Sequence, residues 1–251
     1  MKNRVIIFLL ISIFSTNILF CQQPTNKSIN NSAMAVFSES NSKPSLSSLE
    51  NIIKNDSDDE ARANAVGALG KLKIPESVEF LLETTNDPSP RVAIESIIAL
   101  SEFCDNIQYK EKIISFLEIK ETTRIGFRES LAIAYVFCKF GYNYNYNINW
   151  LSLFIENPVK MYVSRDSAYY LGKLGDVSVI DVLIKSIEKN EKTVNNASYS
   201  EEVFNALVDI VLNSDKNYKI VEKKMKQEKG IAKKYLKEVI EYADNIKIHG
   251  R

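Results

Sequence analysis

Apolar residues recur along most of the chain at spacings of three and four, the signature of helices with one buried stripe. The pattern comes in pairs. A short apolar-periodic segment (Leu49–Ile53, Val78–Leu82, Ile113–Leu117, Trp150–Ile155, Ile180–Ile184) is followed each time by a longer one. The longer segments align. Taking Arg62, Ala93, Phe127, Ser164 and Ser200 as position zero, positions +3, +4, +7 and +10 are almost all apolar or small. Leu69-Gly70-Lys71-Leu72 returns as Leu171-Gly172-Lys173-Leu174, and the copies at Leu100, Ala134, Leu171 and Leu207 follow Leu69 at steps of 31, 34, 37 and 36 residues. One helix pair cannot bury such a stripe, so neighbouring pairs must stack on it.

Turn residues divide the pairs. Asn55-Asp56-Ser57-Asp58, Asn86-Asp87-Pro88-Ser89-Pro90 and Asn157-Pro158 cap or stop helices, and Pro90 suits a first helical turn. Gly70 and Gly172 are expected to close their helices as C-terminal glycines do. Trp150 is expected to open a helix and enter the core.

At these residues the chain resembles HEAT repeats, closest to the short bacterial HEAT-like type also found in phycobilin lyases. The stretches that carry the resemblance are Asp87-Pro-Ser-Pro-Arg-Val92 and Asn55-Asp-Ser-Asp-Asp-Glu-Ala-Arg-Ala-Asn-Ala-Val-Gly-Ala-Leu-Gly70. It covers about residues 46–214 and implies a ladder of turn aspartates and helix-opening arginines, matched by Asp56, Arg62 and Asp87. The second unit has Ala93 at the arginine position, and Arg128 and Arg165 lie one position off. The expected fold is all-α: a right-handed superhelix of about five to six helix pairs over residues 46–247, with a short tail at 248–251.

The first residues follow another logic. Lys2 and Arg4 precede the apolar run Val5–Phe14, which gives way to Ser15, Thr16 and Asn17. This basic–apolar–polar order is that of a secretory signal over residues 1–21, and the run is short for a membrane span. Cleavage after Cys21 and lipidation at Cys21 both fit; Ile18-Leu19-Phe20-Cys21 resembles a lipoprotein box, except that Phe20 is large. A polar stretch rich in Asn and Ser follows to residue 45 and reads as a tether. The expected location is the periplasm or cell envelope, with membrane attachment only through Cys21.

Composition narrows the chemistry. Formal net charge is zero, so no global field draws the chain to nucleic acid. Its one histidine, His249, is two residues from the end, which rules out a histidine-based acid–base site or triad in the repeats. No cysteine–histidine spacing suits a metal, and no phosphate loop is present. The expectation is a protein without catalytic residues or cofactor that binds a protein or peptide partner. A lyase-like or other enzymatic HEAT protein, and a structural subunit of an envelope complex, are the alternatives.

Three features could carry recognition. Position +2 holds Asn64, Glu95, Glu129, Asp166 and Glu202. By the resemblance the second helices line the concave side, so four carboxylates would run along it, with Tyr169, Arg128 and Arg165 beside them; the plainer reading is that they favour helix N-termini and are solvated. The insertion Gly141–Trp150 carries Tyr142, Tyr144 and Tyr146, as an interaction loop or as packing. Nine lysines between Lys216 and Lys237 suit a polar end cap, or contact with anionic lipid or an acidic partner. Cys104 and Cys138, one local repeat apart, read as unpaired small apolar groups, because stacked helices sit too far apart for a disulfide.

Overall fold

The computed structural model describes residues 45–123, 125–156, 161–191 and 197–250, and of Met161, 190–191 and 197–199 the backbone alone. The signal, Cys21, the tether up to residue 44 and the Asn157-Pro158 turn lie outside them. The described residues form twelve α-helices: α1 (Leu46–Asn55), α2 (Asp59–Leu72), α3 (Ser77–Thr84), α4 (Pro90–Leu100), α5 (Ile107–Thr122), α6 (Phe127–Lys139), α7 (Tyr144–Glu156), α8 (Met161–Leu174), α9 (Ile180–Glu191), α10 (Ala197–Leu212), α11 (Asp215–Gln227) and α12 (Gly230–His249). Short 3-10 turns at Ser101–Phe103 and Val177–Val179 complete the list.

These are six antiparallel pairs in an α-solenoid. Each second helix packs on the next: α2 on α4, α4 on α6, α6 on α8, α8 on α10 and α10 on α12. The first helices touch one another more sparsely. A two-layered stack curves towards its tighter layer, so the second helices line the concave side. The aligned stripe forms the core. Val66, Leu69, Ile97, Leu100, Leu131, Ala134, Ala168, Leu171, Val203, Leu207 and Ile210 are buried completely.

Short polar residues start the helices. Ser45, Asp58, Asn106 and Ser214 each accept a hydrogen bond from a first-turn backbone N–H. The repeat ladder forms, with a change of partner. Arg62 Nη2 pairs with Asp87 Oδ1 of the next repeat at 3.0 Å, while Arg62 Nη1 donates to the backbone carbonyl of Asp56, also at 3.0 Å. The Asp56 carboxylate instead accepts from Asp58 N–H at 2.9 Å, so this aspartate shapes its own turn. Asp87 likewise accepts from Ser89 N–H at 2.8 Å.

Gly70 and Gly172 do not end their helices. Both lie inside, at position +8, with ordinary helical backbone, and each marks a close helix approach. A Cβ on Gly70 would sit 2.8 Å from Ala99 Cβ and 3.0 Å from Ala99 Cα. One on Gly172 would sit 2.6 Å from Ala206 Cα. The missing side chain lets α2 approach α4 and α8 approach α10. Ala99 and Ala206 both stand at +6 of their helices. In the middle of the stack the same register, +8 against +6, holds Tyr135 of α6 against Tyr170 of α8. Their rings stack with centroids 5.1 Å apart and planes 21° apart. The α8–α10 seam, closed by backbone contact, thus adjoins a seam at α6–α8 that is wedged by aromatic rings.

The tyrosine insertion is shorter than expected. Gly141 (φ 67°) and Asn143 (φ 45°) turn the chain in the left-handed region, and α7 then begins at Tyr144. Trp150 is buried as expected but sits in mid-helix. Cys104 is half-buried, Cys138 is buried, and both are free thiols.

Candidate functional site: the carboxylate row on the second helices

The four carboxylates at +2 have separate fates. Glu129 Oε2 turns back to accept from Gly126 N–H at 2.7 Å, which caps the start of α6. Asp166 on α8 takes Arg128 of α6 in a two-pronged ion pair, with Nε 2.5 Å from Oδ2 and Nη2 3.3 Å from Oδ1. Arg128 therefore bridges neighbouring second helices and does not extend the turn ladder. Burial raises the Asp166 pKa above the usual carboxylate range, and Arg128 and Arg165 oppose that shift.

Glu95 and Glu202 have neither role. Among the described residues no hydrogen-bond donor or ion-pairing cation reaches either carboxylate. Glu95 lies over Gly67 of α2, where a Cβ would come within 2.7 Å of Glu95 Oε1. Glu202 is only 8% exposed. Desolvation raises both pKa values; Lys71 and Arg91 oppose it at Glu95, and Arg165 opposes it at Glu202. The row therefore divides: two members are spent on structure, Glu129 at the helix start that the plainer reading expected, and the other two are desolvated without a partner.

Tyr169, at +5 on α8, lies within electrostatic reach of both free carboxylates. It is 40% exposed, and its hydroxyl is pushed upward by desolvation, then by Glu95, Tyr135, Asp209 and Glu202. Its ring meets Tyr170 edge-on with centroids 5.6 Å apart, so it stands on the Tyr135–Tyr170 stack. Lys173 Nζ lies 5.4 Å from the Tyr169 ring centroid and 2.8 Å from Asp209 Oδ2. Arg165 keeps its Nε buried without a hydrogen-bond partner. Neither Tyr135 nor Lys173 was singled out from sequence. Register alone could have flagged Tyr135, since it faces Tyr170 where the α2–α4 and α8–α10 seams place Gly and Ala.

The inserted tyrosines are separate from this surface. Tyr142 packs edge-on to Phe137 at 5.1 Å and donates to Glu118. Tyr144 donates to Asp176 at 2.6 Å. Asp176 is desolvated, yet the hydrogen bonds from Tyr144 and Ser178 hold its pKa below the usual range. Tyr146 is 44% exposed. The lysine-rich end is partly self-neutralised: Lys224 pairs with Asp181 and Glu228, Lys226 with Glu222, Lys234 with Glu238 and Lys237 with Glu241. No group of three or more His, Cys, Asp or Glu among the described residues could hold a metal ion. No described helix is long and apolar enough to cross a membrane.

Comparison with known families agrees with this architecture. Residues 46–135, the first two helix pairs with most of the third, match the family model described as HEAT repeats. Over that stretch the chain is similar to HEAT-repeat proteins. No curated protein shows a significant match to the chain.

Proposed function

We propose that this protein is a non-catalytic interaction scaffold of the cell envelope that engages a protein or peptide through the concave, second-helix face of its solenoid. HEAT repeats commonly serve as scaffolds for protein interaction, and the match over residues 46–135 supports that role. The observation that carries the reading is Tyr169. A tyrosine 40% exposed, fixed on a buried aromatic stack and edged by charged side chains, has the composition of a binding surface: rigid aromatic area with polar neighbours. The basic–apolar–polar N-terminus supports export, and Cys21 supports a lipid tether.

Affinity capture with the mature chain from its own envelope fraction tests the face, comparing wild type with Tyr169→Ala. A partner retained equally by both forms would refute it. Fatty-acid labelling of wild type and Cys21→Ala tests the tether. A second reading, catalysis by the same carboxylates, is favoured by desolvation, which raises the pKa values of Glu95 and Glu202 above the ordinary 4.5 and favours the protonated form that a general acid needs. Under that reading Glu202→Gln would abolish turnover while partner capture stayed intact.

A further inference from the structure

We infer that the last helix pair docks on an anionic phospholipid surface, with the outer face of α11 and the α11–α12 turn against the headgroup phosphates. This goes beyond the concave-face reading and does not depend on it, because Tyr169 and the carboxylate row lie on second helices and α11 is a first helix.

Charge is unevenly distributed along the chain. Residues 46–214 carry 17 Lys and Arg against 25 Asp and Glu, a net charge of −8, whereas residues 215–251 carry 11 against 6, a net of +5. The zero total therefore conceals a positive end at the last pair. Salt at about 0.1 M screens exposed charges beyond about 10 Å, so a surface touching that end feels its lysines and not the distant acidic body.

Those lysines point outward. Asn217 and Val221 are the buried residues of α11. Lys216, Lys219, Lys223 and Lys226 recur at intervals of three and four along its other side, and all four are exposed. α12 neutralises its outer lysines, Lys234 with Glu238 and Lys237 with Glu241. α11 cannot do the same. Its acids are already taken, Asp215 by Lys247, Glu222 by Lys226 and Glu228 by Lys224. Among the described residues no acid pairs with Lys216, Lys219 or Lys223. Like charges one turn apart on a helix repel, and apposed phosphates would relieve that repulsion.

The turn adds an apolar tip. Gly230, at φ 59°, opens α12 within Lys229-Gly230-Ile231-Ala232-Lys233. Lys229 and Lys233 are exposed and, among the described residues, unpaired; Ile231 between them is 37% exposed. Basic side chains around an exposed aliphatic one suit the boundary between headgroups and acyl chains, which favours lipid over a soluble acidic partner.

The test is co-sedimentation of the full chain with vesicles of phosphatidylcholine alone or of equal parts phosphatidylcholine and phosphatidylglycerol. Binding to the mixed vesicles is expected to exceed binding to neutral ones and to fall steeply with added salt. Lys216→Gln/Lys219→Gln/Lys223→Gln should weaken it at least about tenfold. Removing the same charge from exposed lysines elsewhere, as Lys54→Gln/Lys139→Gln/Lys185→Gln, should not. All forms share one N-terminus, so any contribution from that end cancels. Equal binding to both vesicles, no binding, or equal loss from the two triple variants would overturn the proposal. Stripe-dependent binding to polyglutamate, or stripe-dependent self-association, without binding to vesicles would also overturn it and assign the face to an acidic macromolecule.

Discussion

Gly172→Ala sets two effects of opposite sign against each other. Alanine is favoured over glycine inside a helix by about 1 kcal/mol, so α8 alone would be stabilised. The new Cβ would lie 2.6 Å from Ala206 Cα, 3.0 Å from its Cβ and 3.2 Å from its carbonyl oxygen. Carbon atoms pack comfortably at about 3.5–4.0 Å, so α8 and α10 must part by about 1 Å along their seam. No side chain can rotate to relieve this, because the nearest atoms belong to the α10 backbone and a methyl group. Overpacking of this kind costs about 1–3 kcal/mol, and its upper half applies where only backbone can move. The expected net loss is about 1–2 kcal/mol. For a chain of this size that lowers Tm by roughly 3–6 °C. Circular dichroism melts at matched concentration provide the assay. Gly67→Ala is the contrasting case, because its Cβ meets the end of the Glu95 side chain at 2.7 Å, which can swing away. That variant should hold its Tm or gain from helix propensity. If Gly172→Ala melted as high as Gly67→Ala, the close-approach argument for the recurring Leu-Gly-Lys-Leu would be refuted.

Three further outcomes follow from the structure. Asp87→Ala removes the partner of Arg62 and the acceptor for Ser89 N–H at a site where both charged side chains are 13% exposed; urea unfolding should show a loss of about 1–3 kcal/mol, and an unchanged midpoint would remove the ladder's structural role. Glu202 has a folded-state pKa raised above its ordinary 4.5, so its contribution to stability is fully present below that value and is lost as pH rises through the raised one; Glu202→Gln should therefore be more stable than wild type near neutrality, with the difference vanishing below about pH 4, as read by melts across pH. Burial, then Asp176, pushes the Cys138 thiol up to about 12, so timed alkylation of the native protein followed by peptide mass spectrometry should modify Cys104 well before Cys138; equal rates, or a mass deficit of a disulfide, would contradict the packing.

The solenoid was legible in the sequence because its cause is local and repeated. Positions +3, +4, +7 and +10 must be apolar in every second helix, so five copies state the same rule. The aspartate turns and Pro90 were legible for the same reason. What the sequence hid lies between repeats. Gly70 looked like a helix end because it stands two residues from one, yet its reason for being glycine is Ala99, on another helix. Glu129 and Glu95 share a register, and nothing local says that one turns back to Gly126 while the other stays unpaired. Arg128 finds Asp166 at a separation of 38 residues, which no spacing rule within one helix predicts. The start of α7 was misplaced because alternating Tyr and Asn mimic a turn, whereas the turn needs only Gly141 and Asn143.

The unequal seams have a mechanical consequence. Where Gly meets Ala, backbones are in contact and sliding is resisted by the stiffest parts of the chain. Where Tyr135 meets Tyr170, the joint is made of rings on rotatable bonds. Elastic compliance should therefore concentrate at that joint, next to the stiffer α8–α10 seam. Tyr169 stands on the joint, with Glu95 on one side of it and Glu202 on the other. A partner seated on Tyr169 would bear on the softest point of the arc, and its affinity would be sensitive to the curvature there.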